Sequence, residues 1–108
     1  MSFTEDGVTH SGVALSDAFA ALKSAGADIV GANCCIGPHA LVALLKTKLP
    51  EISPACQSAG RNFSISAYPN AGRPQYVDGR YYYLATPAYF AQKGVELADY
   101  GVRLIGGC

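Results

Sequence analysis

The sequence predicts an α/β domain. Short strand-like runs, "ADIVGAN", "NFSISAY" and "VRLIGGC", alternate with segments of helical period. The first of these is apolar without polar alternation, as suits a strand buried on both faces of a parallel sheet. The runs recur at roughly 35 to 40 residues, the size of a βαβ unit. This pattern leaves open whether the sheet is open or part of a (β/α) barrel.

The elements follow in order. "MSFTEDG" reads as the end of an extended segment that turns at Asp6-Gly7. The helix "DAFAALKSAG" has Ser11 or Ser16 as candidate caps, Phe19 and Leu22 on its apolar stripe, and Gly26 as its stop. Pro38 opens a second helix, in which Leu41, Leu44, Leu45 and Leu49 recur and which Pro50 is expected to end. A polar connection then carries Cys56. In the next strand Phe63, Ile65 and Ala67 alternate with serines. "YPNAGRP" is a turn-rich loop, and "YVDGRYYYLA" reads as a long aromatic loop with a short extended piece. Thr86-Pro87 is a cap and first-turn pair for the helix that ends at Gly101, before the last strand.

Composition narrows the function. The chain has 108 residues, 50% hydrophobic and 15% charged, which is rich in core formers for one small domain or a piece of a larger one. Lys plus Arg and Asp plus Glu number 8 each, and no basic patch stands out, so no nucleic-acid partner is expected. No apolar run approaches the roughly 20 residues that span a bilayer, so no membrane is expected either. The N-terminus has neither a basic start nor an apolar signal region, which points to the cytoplasm. The four cysteines are Cys34, Cys35, Cys56 and Cys108. Two are adjacent and no export signal is visible, so reduced thiols or metal ligands are expected ahead of disulfides.

The unusual residues share one position in each unit. Cys34 follows the first strand, Tyr68 to Gly72 follow the second, and Gly106-Gly107-Cys108 follow the third. Parallel strands end on one face, where α/β enzymes build their sites, so Cys34 and Cys108 are placed to converge. Gly31, Gly106 and Gly107 would let backbone approach a bound ion or substrate.

"GANC" followed by "GP", then "YPNAG", then "LIGGC", in that order, resembles the homocysteine S-methyltransferase family. The resemblance runs from about Ser11 to Cys108, and "MSFT" resembles the end of the family's fifth strand. It implies a zinc-containing (β/α)8 TIM barrel. Residues 1–108 would be a partial homocysteine-binding domain from its C-terminal end, about three β/α units, truncated at both ends. The stretch "YVDGRYYYLATPAYFAQ" also resembles the bacterial branch whose barrel is fused to a methylenetetrahydrofolate reductase domain.

By position, the resemblance makes Cys34 the zinc cysteine of "GxNC" and Cys108 the first cysteine of "GGCC". The third ligand would be the next residue, which this sequence does not have. Asn70 matches the family's loop asparagine beside the metal, able to offer zinc an oxygen when substrate is absent. Asn33 is the second substrate-side candidate. A plain turn role competes for both. Cys35 reads as a small neighbouring hydrophobe, Cys56 as incidental, His39 as a solvated helix residue and His10 as unremarkable. Tyr81, Tyr82 and Tyr83 would wall a site or a domain contact, with packing as the default. No catalytic side chain is assigned.

The implied reaction is methyl transfer to the homocysteine thiolate, giving methionine, with Zn2+ as cofactor. A free thiol with a pKa near 8.5 is mostly protonated at neutral pH, and zinc coordination removes that proton. The implied partners are homocysteine, a methyl donor, the remainder of the barrel and the fused reductase domain. The donor stays open among methylfolate through cobalamin, S-methylmethionine and betaine. The fragment alone is expected to be inactive and to bind zinc weakly or not at all. The alternative is a small non-catalytic α/β module with a structural Cys or metal site, which the lack of a C-x2-C pair disfavours.

Overall fold

The computed structural model describes residues 1–57 and 64–108. Its elements are α1 (Leu15–Ser24), β1 (Ile29–Asn33), α2 (Pro38–Gln57), β2 (Ser64–Tyr68), β3 (Gln75–Val77), β4 (Arg80–Tyr82), α3 (Pro87–Asp99) and β5 (Leu104–Ile105). β1, β2 and β5 form a parallel sheet in the order β1-β2-β5, while β3 and β4 form a separate antiparallel ribbon. The α/β class follows from this.

The N-terminal segment lies along the outer edge of β1. Asn33 N–H donates to the Met1 carbonyl at 2.9 Å. The Met1 ammonium donates to the Gly31 carbonyl at 2.7 Å. Bonds that flank Ala32 in this way are the pattern of a parallel ladder. The expected turn follows, with Gly7 at φ 76° and its N–H on the Thr4 carbonyl.

Neither Ser11 nor Ser16 caps α1. Ala14 is the N-cap, without a side-chain bond. The tertiary turn does the work of a cap: Leu15 N–H donates to the Gly7 carbonyl at 2.9 Å, and Val8 bridges Ala14. Ser11 instead pairs with the Thr9 hydroxyl at 3.0 Å. At the far end Gly26 N–H reaches the Lys23 carbonyl and Ala27 N–H the Leu22 carbonyl, a Schellman motif with Gly26 at φ 97°. α3 ends the same way around Gly101, and it starts as expected, with Tyr89 N–H donating to Thr86 Oγ1 at 3.2 Å.

α2 does not end at Pro50 but runs to Gln57. Proline's fixed φ is helical, so Pro50 costs a donor and some crowding without forcing a stop. The apolar stripe of Leu41 and Leu45 continues to the buried Ile52, and that packing carries the helix on. Cys56 therefore lies within α2 and not in a connection, although its side chain, like Phe63, lies outside the described residues.

The three helices cover one sheet face. Val30, Ala32, Ile65 and Ala67 point into a core with Phe3, Leu15, Phe19, Leu41, Leu45, Leu97 and Val102. Phe3 and Phe19 meet edge to face at 5.9 Å. The other face of β1 and β2 carries Ile29, Gly31, Asn33, Ser64, Ser66 and Tyr68, and Ile29 is 51% exposed. The strand expected to be buried on both faces is therefore covered on one, because among the described residues no layer packs on the second.

The aromatic stretch is not an irregular loop. Asp78 and Gly79, at φ 49° and 75°, make the two-residue turn of a hairpin, with Tyr76 opposite Tyr81. Both central residues at positive φ mark a type I′ turn, and Asp-Gly is a favoured pair for it.

Candidate metal centre

The parallel register brings the strand exits together. β1 and β2 align Asn33 with Tyr68, and β2 and β5 align Ala67 with Ile105. Beyond the strands the ladder continues. Cys34 N–H donates to the Tyr68 carbonyl at 2.9 Å, Gly106 N–H to the Ala67 carbonyl at 3.0 Å, and Cys108 N–H to the Pro69 carbonyl at 3.0 Å. The exit of β2 thus holds a cysteine on either side.

Cys34 and Cys108, 74 residues apart in sequence, have Cα atoms 5.6 Å apart, and their sulfurs are joined as a disulfide. The same Cα spacing suits two thiolates on one tetrahedral ion, where Zn–S bonds of ~2.3 Å set the sulfurs about 3.8 Å apart. Reduction would release the pair for that role.

The local backbone explains the adjacent cysteines. Cys34 and Cys35 sit at φ 59° and 62°, two successive left-handed residues. Such conformations are uncommon outside glycine, and they reverse the chain at the end of β1. Ile36 N–H closes the turn on the Cys34 carbonyl at 2.7 Å. Cys34 is left half-buried beside the sheet end, while Cys35 is exposed and free.

Asn33 Nδ2 donates to Cys34 Sγ at 3.1 Å. Asn70 N–H donates to the Ile36 carbonyl at 3.0 Å, which ties the "YPNAG" loop to the turn after β1. The glycines serve a different purpose from the one expected. A β-carbon on Gly31 would overlap Ser66, and one on Gly106 would overlap the Tyr68 ring. Two of them therefore make room for side chains of β2 and not for an ion.

A cleft of about 490 Å³ opens beside the sulfurs on the uncovered sheet face, lined by Met1, Ile29, Asn33, Cys34, Ser66, Tyr68 and Cys108 among others. Sequence reasoning passed over the Ser66 and Tyr68 side chains. The signal was available, since both alternate with the core residues Ile65 and Ala67. His39 and His10 are exposed, and so are Tyr81, Tyr82 and Tyr83, of which Tyr81 meets the Tyr76 ring at 4.9 Å. Among the described residues no group of three or more His, Cys, Asp or Glu side chains gathers as a metal site.

The sequence matches the homocysteine S-methyltransferase family over residues 1–108. The chain belongs to that family. A search of curated proteins finds no match to it. Among its described residues no helix is long and apolar enough to cross a membrane. For a homocysteine S-methyltransferase, the sulfur pair lies where α/β enzymes put their chemistry, at the C-terminal ends of parallel strands.

Proposed function

We propose that this chain is the metal-binding end of a zinc-dependent homocysteine S-methyltransferase that forms methionine, and that its three parallel strands are the last units of a (β/α)8 barrel. The supporting observation is that Cys34 and Cys108 meet over the exit of β2. Two adjacent sulfurs are a soft donor set, suited to zinc and ill suited to magnesium or calcium. In the reduced protein Cys34 and Cys108 would hold the ion, with a further thiolate from residues outside this chain. Bound zinc would keep the homocysteine sulfur as a thiolate at neutral pH.

The chain's own residues prepare that site. Backbone bonds to Tyr68 and Pro69 set where the two cysteines stand. The Asn33 amide donates to Cys34 Sγ, orienting it and drawing off part of its charge. The cleft takes homocysteine, its methylenes against Ile29 and Tyr68. Asn70, held to the turn after β1 by its N–H on the Ile36 carbonyl, is the second proposed substrate-side residue. The donor, the rest of the barrel and a fused methylenetetrahydrofolate reductase domain are the proposed partners. The cytoplasm is the proposed setting, because thiols stay reduced there.

Zinc titration of the reduced chain against a chromophoric chelator tests this, with zinc-edge X-ray absorption as the second readout. The wild-type chain is expected to bind zinc weakly through sulfur and to transfer no methyl group. Cys34→Ser and Cys108→Ser should each lose one sulfur from the coordination and bind zinc more weakly still. Equal zinc binding in both variants would overturn the site, and tight stoichiometric zinc would overturn the need for a further ligand.

The disulfide itself favours a second reading, a non-catalytic α/β module stapled between its strand ends. Cys34→Ser in the enzyme containing this chain separates the two. Lost methyl transfer with the fold retained supports the enzyme, and unfolding supports the staple.

A further inference from the structure

Two hydroxyls line the sulfur cleft without a task in the metal centre. Apart from the cysteines, the side chains there that carry an N–H or O–H are those of Asn33, Ser66 and Tyr68. Asn33 is engaged, since its amide donates to Cys34 Sγ. Ser66 and Tyr68 are half-buried, yet neither hydroxyl has a hydrogen-bond partner among the described residues and neither is sealed from solvent. A half-buried hydroxyl left open to a cleft is a group that a ligand can satisfy.

The register sets their depth. Tyr68 pairs with Asn33, and Ser66 with Gly31. Residues two apart on a strand share a face at ~6.7 Å, so Ser66 lies one layer below Tyr68 and the sulfurs. The two side chains lean in opposite directions. Ser66 Oγ leans over β1, into space that Gly31 leaves by lacking a β-carbon. The Tyr68 ring leans over Gly106, beyond β5. The line from the sulfurs down to Ser66 therefore stays open, and one cleft contains both ends of it.

We propose that Ser66 reads the amino-acid end of homocysteine, its hydroxyl donating to the α-carboxylate while the substrate sulfur sits beside Cys34 and Cys108. This rests on the metal-centre reading above. The lengths agree. Homocysteine spans ~5 Å from sulfur to carboxylate, and a hydrogen bond adds ~2.8 Å, which together cover one layer of the sheet. On the way the methylenes pass the Tyr68 ring. Asn33 and Ser66 then divide the work of the open face: one orients the ligand sulfur of Cys34, the other the far end of the substrate.

Isothermal titration into the zinc-loaded enzyme containing this chain tests this. The two probes are homocysteine and 3-aminopropane-1-thiol, which keeps the thiol and the ammonium and lacks only the carboxylate. Zinc-edge X-ray absorption reports whether each sulfur reaches the metal. The wild-type enzyme should bind homocysteine at least about tenfold more tightly than the amine. Ser66→Ala should weaken homocysteine by roughly 10–100-fold, the size of one hydrogen bond to a charged group, and the amine by less than about threefold. A loss that is absent, or equal for both probes, overturns the proposal and leaves the metal centre standing. So does a wild-type enzyme that binds both probes alike, a result that needs no folded variant. If neither sulfur reaches the zinc, the metal-centre reading falls and this proposal with it.

Discussion

Cys34 and Cys35 are neighbours with opposite fates, and the backbone decides between them. Both take left-handed conformations, but one sulfur turns to Cys108 and the other to solvent. Cys35→Gly should relieve a left-handed cost of ~1–2 kcal/mol, partly offset by the extra unfolded-state freedom of glycine. The expected outcome in a thermal melt is a gain of about 0.5–1 kcal/mol with zinc binding unchanged. Asn33→Ala removes the amide that donates to Cys34 Sγ. It should leave the fold intact and weaken zinc binding by roughly 10–100-fold, as losses around metal ligands do, in the same chelator titration. The convergence of Cys34 and Cys108 was legible because each follows a strand, but their joining as a disulfide runs against the reduced thiols expected. The roles of Gly31 and Gly106 were not, because nothing local says that Ser66 and Tyr68 occupy the space beside them.

Helices and strands were legible to different degrees, and each miss has a physical source. α3 has its start in Thr86-Pro87 and its stop in Gly101, and both signals are local, so the element came out where expected. α1 hid its start because a carbonyl from Gly7, brought in by a turn, replaces a side-chain cap. α2 outran Pro50 because burial of Ile52 outweighs a lost backbone donor. It follows that Pro50→Ala should stabilise the protein by about 1–3 kcal/mol in urea denaturation, as it restores a donor inside a helix. A loss of stability would mean that the proline ring itself contributes packing that alanine does not replace. The ribbon was readable from Asp78-Gly79 flanked by aromatic residues, although the stretch was expected to be a long loop with a short extended piece.

At the scale of the molecule, a small parallel sheet carries its helices on one face and a sulfur-lined cleft on the other. The link between Cys34 and Cys108 spans 74 residues of chain. In the chain-entropy account, closing a loop of that size stabilises the fold by about 4 kcal/mol. Urea unfolding with and without reductant should show a loss of that order. No difference would mean that the strands hold their exits together without the bond.

The alternation of strands and helices, the caps of α3 and the shared position of the site residues at strand exits were in the sequence itself. These rest on local propensity and on the single direction of parallel strands. Which sheet face stays open and how the register sets Cys34 and Cys108 on either side of Tyr68 and Pro69 were decided by the tertiary structure alone. They depend on contacts between residues far apart in the chain, and no local pattern encodes who sits across from whom.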